Sequence, residues 1–577
     1  MKRVLSIFLI VCFLFSAFLF KINAAFAFIK ISDLVFDGEP VNPEDLPEIL
    51  ETIKTNKEKN VKKQQRGSTM LLPTNLQIID AMLSNSKNIQ IEIDTSDVLV
   101  RTNDDIQEGI SNVNFLNAVS EAVSLWDGVD IADVSFLPLK FASGQPDSDD
   151  GKNIITFRAV EPPESAPESA LVFSIITYAR TNTIEFMGKP IMVKPGTILD
   201  ADIIYDPSND PCLALNTTEG DIKIGGDIVP ISDGGIAADA DLSNCTSVSG
   251  GDITDLAVRS ISHLLGLESS AIASAANSAV GQAMTRYALT NDDRIGLANI
   301  YPNKTTLTTH GSVIGKVLLN KKPVKGAHVV LEDTVSGEPV TGGITNIKGQ
   351  FKMSAVPAGT YNVYAEPLDG PIRKAGLGLN FFGFTADLNF TTALLPDPIT
   401  VTTNKVTNIK QIDVRELSAS AFNFNHLSFA LTEEDINASS GAFLLPIRIM
   451  PGETLTDVVF WGSNIHPNFG TLTVSGPGIT ISNVRENKSI PISPFVRCAD
   501  CQDTPDTMCN RDPRCLDTQE ITDEPDELPG IEVDITCDAS IEPGPRNIIF
   551  TGDQLDPTSP SFGLRDQITG GIIVTED

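Results

Sequence analysis

The sequence is short of positive charge. Its 42 Lys and Arg stand against 75 Asp and Glu, a formal net charge of −33 at pH 7. A surface of that sign repels phosphate backbones and anionic lipid, so neither nucleic acid nor an acidic membrane is an expected partner. Histidine is scarce, with five in 577 residues: His263, His310, His328, His426 and His466. Scarcity on that scale leaves little material for an imidazole-based metal site. A Gly-rich phosphate loop is missing, and so is the G-x-S-x-G nucleophile elbow of serine hydrolases. Beyond residue 27 no run of about eighteen apolar residues occurs, so no span is expected past the N-terminal segment.

What is present points to export. Lys2 and Arg3 precede an apolar run over residues 4–20, and Ala25-Phe26-Ala27 has the A-x-A form of a cleavage site. Residues 1–27 therefore predict a signal peptide, with an uncleaved anchor as the alternative. The expected destination is secreted, periplasmic or cell-surface. Seven cysteines follow: Cys212, Cys245, Cys498, Cys501, Cys509, Cys515 and Cys537. An oxidising compartment favours disulfides over zinc thiolates. Cys212 and Cys245 are expected to pair, while the connectivity of the other five stays open. With 41% apolar and 20% charged residues the chain is globular, and its length suits three or four domains. Residues 28–85 form an N-terminal segment containing a basic, solvated run at 54–66.

Residues 252–270, DITDLAVRSISHLLGLESS, read as an amphipathic helix. Leu256, Ile261, Leu264 and Leu265 recur at helical spacing, Asp252 or Thr254 can cap the start, and Gly266 marks the stop. His263 sits near the helix end. The layout resembles the active-site helix of matrixin-like metzincin peptidases, H-E-x-x-H-x-x-G-x-x-H, in which three His hold zinc and the Glu is the general base. Here Arg259 and Ser260 stand where the first His and the Glu belong. His263 and Gly266 match, and Ser269 takes the third His position.

The resemblance extends over residues 86–303. It includes a strand at IQIEI (89–93), a helix at 115–126 ending in Trp126, and strands at 151–157 and 197–206. Met284 falls at the Met-turn position, and a closing helix over 289–302 carries Asp292 and Asp293 in its first turn. It implies a zinc peptidase fold of which one metal ligand survives and the base is lost. No cofactor is then expected, and catalysis by the usual route is not. Arg259 is expected to pair with Glu268 or another acid in place of the metal. The alternative is an active zinc endopeptidase with a non-standard site. An extended peptide or protein ligand is the expected partner, since a peptide can add to a strand edge without metal.

Past Pro302 the pattern turns to short strands divided by glycines. Gly315-Lys316-Val317, the stretch Pro323–Gly326–Val329, and the pairs Gly349/Phe351 and Gly359/Tyr361 resemble a carboxypeptidase regulatory-like domain over residues 308–416. Phe351 and Tyr361 are expected in its core, and His328 on a strand with a structural role. Residues 417–577 read as an immunoglobulin-like sandwich interrupted by an acidic, cysteine-rich loop at 498–528. The acidic run 503–512 lacks the spacing of a calcium loop. Asn216, Asn244 and Asn303 each begin an N-glycosylation triplet. The expected class is multidomain: an α+β metzincin-like domain followed by two all-β sandwiches, acting as a binding or structural protein.

Overall fold

The computed structural model describes residues 112–142, 253–278 except Glu268, 288–370, 386–429 except Ala419, 446–492, 526–552 and 561–575, together with short strands between residues 35 and 230. The protein is mostly β, arranged in several sheets, and its apolar side chains collect in three cores.

The first core lies under a five-stranded mixed sheet. Its strands are β1 (Ile91–Asp94), β2 (Lys140–Ala142), β3 (Asn153–Phe157), β4 (Val172–Tyr178) and β5 (Ile198–Tyr205). They run in the order β2-β1-β3-β5-β4. All neighbours are parallel except β4, which pairs antiparallel with β5 at the edge. The alternation in IQIEI has a direct meaning: Ile89, Ile91 and Ile93 are fully buried on one face. Helix α1 (Asn112–Asp127) presents Val119, Val123 and Trp126 as a stripe to this core. The Trp126 indole N–H donates to the Val258 carbonyl at 2.9 Å, fixing α1 against helix α2 (Ile253–Leu264).

Helix α3 (Asn291–Ile300) does not belong to the first unit alone. Leu297 and Ile300 enter the first core, whereas Ile295 and Ala298, one turn apart, enter the core of the next unit. A short helix α4 (Lys304–Thr309) follows, capped by Asn303, whose Oδ1 accepts from the Thr306 N–H at 2.8 Å. The Asn303 amide also donates to the Asp130 carbonyl at 2.5 Å. The glycan-acceptor pattern at Asn303 is thus a helix cap whose nitrogen is already engaged.

The second unit is a β-sandwich. Strand β6 (Gly311–Leu319) runs through one sheet, and β7 (His328–Asp333) lies between β8 (Pro339–Ile344) and β10 (Gly359–Glu366) in the other. Strand β9 (Gln350–Val356) pairs antiparallel with β6, and β11 (Ile412–Glu416) pairs parallel with it. Phe351 and Tyr361 are buried in the core. Residues 390–416 complete both sheets with short strands.

The third unit is also a sandwich. One sheet is β12 (Asn423–Phe429), β14 (Thr454–Ser463), β17 (Asp526–Cys537) and β16 (Ile479–Ile492). The other is β13 (Ile447–Ile449), β19 (Arg565–Val574), β18 (Gly544–Gly552) and β15 (Gly470–Val474). Between them Phe422 meets Phe550 edge-on with ring centroids 4.7 Å apart. Cys537 is buried with a free thiol, and burial pushes that thiol up. The other six cysteines beyond residue 27, and residues 498–525, lie outside the described residues. Among the described residues no helix is long and apolar enough to cross a membrane.

A buried polar seam joins the two sandwiches. Glu366, at the end of β10, accepts from His328 Nδ1 and Thr569 Oγ1, each at 2.8 Å, and from Gln567 Nε2 at 3.1 Å. Asn547 donates to Glu332 at 2.6 Å, and the Tyr364 hydroxyl meets Thr569 Oγ1 at 3.0 Å. Asp566 accepts from the Phe424 N–H at 2.8 Å and from Thr392 at 3.3 Å. Burial, and then the charges of Asp369 and Glu366, push the Asp566 carboxyl up to about 8 against the pull of that N–H. An unfolded Asp titrates near about 4, so between these values the native state keeps a proton that the unfolded chain has lost. The associated stability is full below about pH 4 and is lost as pH rises towards 8. We expect the urea midpoint to fall from pH 5 to pH 8, and Asp566→Asn to remove a slope of up to about 1.4 kcal/mol per pH unit. An identical slope in the variant would mean that Asp566 is ionised in the native protein.

Candidate functional site

Helix α2 ends as its glycine predicts. Gly266 has φ of +92°, the left-handed conformation that an L side chain disfavours. The Leu267 N–H reaches the Ser262 carbonyl and the Gly266 N–H reaches the His263 carbonyl, both at 2.9 Å. These two bonds make a Schellman stop, which satisfies the last carbonyls of the helix.

The motif positions are all buried. Arg259 is 5% exposed, and Ser260, His263 and Ser269 are each 1% exposed. His263 Nδ1 lies 3.1 Å from the Leu267 carbonyl. A carbonyl only accepts, so Nδ1 carries the proton, as it does in a metal-ligating His oriented by backbone. The ring is thus locked by the turn that Gly266 makes. One turn earlier, Arg259 supplies a cation and no lone pair, and Ser269 supplies no imidazole. Among the described residues no three His, Cys, Asp or Glu gather in a way that could hold a metal ion. Met284 and Glu268 lie outside the described residues.

Arg259 is held by the strap that follows the turn. Among the described residues, which do not include Glu268, no acid pairs with it. Its Nη2 donates to the Ser278 carbonyl at 2.6 Å, and its Nε has no hydrogen-bond partner. Burial lowers the guanidinium to about 10, with no neighbouring charge opposing, so the group remains cationic at neutral pH.

Ser278 closes a buried strap, residues 269–278, that leaves the Gly266 turn. Ser270 and Ser278 form a bridge, and the Ser270 N–H donates to the Asn277 carbonyl at 2.6 Å. Two carboxylates at the start of α3 hold the strap. Asp293 accepts from the Ala276 N–H at 3.0 Å and the Asn277 N–H at 3.3 Å, while also accepting from Thr290 N and Oγ1 at 2.9 and 2.7 Å. Asp292 accepts from Ser270 Oγ at 2.5 Å and, across the unit boundary, from Thr341 Oγ1 at 2.8 Å and the Gly342 N–H at 3.1 Å. Burial and the adjacent Asp292 push Asp293 up to about 6, and burial also raises Asp292.

The strap's other side faces the third unit. The Ala273 N–H donates to the Thr569 carbonyl at 2.9 Å, and Ala271 and Ala273 enter the core of the C-terminal sandwich. Sequence reasoning placed Asp292 and Asp293 on a helix dipole and missed this role. The available signal was Thr290 three residues before Asp293, the capping-box spacing with Asp in the Glu position.

Comparison with known protein families and with curated proteins finds no match. Solved structures that resemble parts of the chain include 5-hydroxyisourate hydrolase from Klebsiella pneumoniae (22% identity, 19% of this chain and 89% of that one, TM-score 0.12). BcpA, the major pilin subunit of Bacillus cereus, is 11% identical over 46% of this chain and 69% of its own, with a TM-score of 0.15. A DUF3823 family protein from Bacteroides ovatus is 14% identical over 30% and 64%, with a TM-score of 0.12. At these scores the likenesses bear on neither activity nor ligand. They lend nothing to the matrixin-like resemblance of residues 86–303.

Gly570 sets the fit of strap to sandwich. Its φ is +67°, and a Cβ there would stand 2.5 Å from Ser274 Oγ and 3.0 Å from the Ser274 nitrogen. Gly570→Ala is therefore expected to cost about 1–3 kcal/mol by crowding and backbone strain, read as a lower urea midpoint. An unchanged midpoint would show that the strap is not packed against β19.

Proposed function

We propose that this is an exported multidomain protein whose first unit keeps a matrixin-like frame without its metal chemistry and serves as a binding or structural scaffold. The order of elements supports the frame: strand, helix α1, the strands β3 and β5, helix α2 with its glycine stop, then α3. The observation that carries the non-catalytic reading is Arg259. A permanently charged guanidinium is buried at the position where the first metal ligand would stand, and a divalent cation beside it would be repelled. Ser260 provides no base to activate water. The strap that follows is tied on one face to α3 and on the other to the C-terminal sandwich, which supports a structural use of this region.

A specific observation keeps a second reading alive. His263 presents the tautomer of a ligating imidazole, so a zinc endopeptidase with a non-standard site is the alternative. Elemental analysis of the purified protein with casein cleavage on the same sample separates the two. The expected result is no stoichiometric zinc and no chelator-sensitive cleavage. Zinc near one per chain together with such cleavage would overturn the scaffold reading.

A further inference from the structure

Beyond Glu366, the last residue of β10, the chain continues Pro367-Leu368-Asp369-Gly370. Leu368 is 2% exposed, yet it packs into the core of the third unit rather than that of its own. The only polar tie given to the turn from the third unit is long: the Asn423 amide donates to the Asp369 carbonyl at 3.3 Å. Between this segment and β19 lies a cavity of about 20 Å³, room for about one water. Its wall carries Glu366, Leu368 and Asp369 from the segment, Asp566 and Thr569 from β19, and Ala271 from the strap. A segment that plugs another unit's core with one apolar side chain thus brings two carboxylates to face a third.

Asp566 meets neutral donors, the Phe424 N–H at 2.8 Å and the Thr392 hydroxyl at 3.3 Å. The charges turned towards it are those of Asp369 and Glu366, and Ala271 of the strap brings none. The basic side chains of the seam are engaged elsewhere, His328 with Glu366 and Arg565 with Gln567 Oε1. We propose that residues 367–370 are a proton-held latch: while Asp566 keeps its proton the latch stays seated, and loss of that proton lifts the segment, draws Leu368 out of the third core and lets water into the cavity. Both sandwiches stay folded when the latch lifts, because Phe351 and Tyr361 in one and Phe424, Phe460 and Phe550 in the other keep their own contacts. The closed state favours the protonated form, since burial, then the Asp369 and Glu366 charges, push the Asp566 carboxyl up to about 8. Exposed to water, the same carboxyl titrates near about 4. The latch goes beyond the scaffold reading and holds whether or not the first unit binds metal.

Hydrogen exchange on the full chain from pH 5 to pH 8, with each rate divided by the intrinsic rate at that pH, reads the opening. Between about pH 4 and pH 8 lifting the latch releases a proton, so opening becomes easier as pH rises. Protection of peptides covering residues 364–370 and Phe424 should fall by up to about tenfold per pH unit. Dilute urea should leave that protection nearly unchanged, because lifting exposes little surface. The peptide of β6 should be better protected and should lose protection in urea, since its amides open only with the whole sandwich. Asp566→Asn should flatten the pH dependence of the latch peptides. Asp369→Asn, at a half-buried position, removes one charge from the cavity and serves as the second variant if the first does not fold; its fall should end at a lower pH, leaving the latch several-fold better protected at pH 8. A latch whose protection does not change with pH overturns the proposal. So does one that follows β6 in both pH and urea, which would mean that the seam opens only on unfolding. A slope unchanged in both variants overturns it as well.

Discussion

Two neighbouring carboxylates taken out of water set the terms for the middle of this protein. Asp292 and Asp293 are both fully buried at the N-terminus of α3. Side by side they repel, and neither can be left without donors at tolerable cost. The helix supplies only part of the answer, through its dipole and the Thr290 cap. The rest comes from elsewhere: Ser270, Ala276 and Asn277 of the strap, and Thr341 and Gly342 of β8. Satisfying one pair of charges therefore fixes the relative position of three segments that are far apart in sequence. The seam at Glu366 repeats the principle between the two sandwiches, with His328, Gln567 and Thr569 as donors.

The segment after α2 derives its rigidity from that arrangement. In the matrixin-like reading, the residues beyond the glycine turn would deliver the third metal ligand. Here they serve as packing material between α3 and β19, with alanines where a functional loop would carry reactive groups. The His263 ring is held from the backbone side by the Leu267 carbonyl, which the Gly266 turn brings to its Nδ1.

The legible parts of the chain are those in which one element meets one core. IQIEI alternates because its strand has one face on α1 and α2. Gly266 announces a stop because only glycine takes that φ at ease. Phe351 and Tyr361 were readable from the turns that flank them. The illegible parts face two bodies at once. Strand β19, RDQITGGIIV, is buried on both sides, so it shows no alternation, and its polar residues are matched by partners from another unit. In strand β12 likewise, the Phe424 N–H is satisfied by Asp566, 142 residues away. Helix α3 was assigned to one unit, whereas its two faces serve two cores.

The position of β19 has a consequence for how the protein is made. This strand is interior to its sheet, flanked by β13 in parallel and β18 in antiparallel register. It also provides Thr569 to the strap and to Glu366. Of all the strands described, it leaves the ribosome last. Until residue 574 emerges, the third core has a gap at its centre, the strap lacks one wall, and the seam lacks its donors. Until then the strap has its α3 contacts, through Asp292 and Asp293, but not those to β19. The contacts that join the three units are thus completed when β19 is in place.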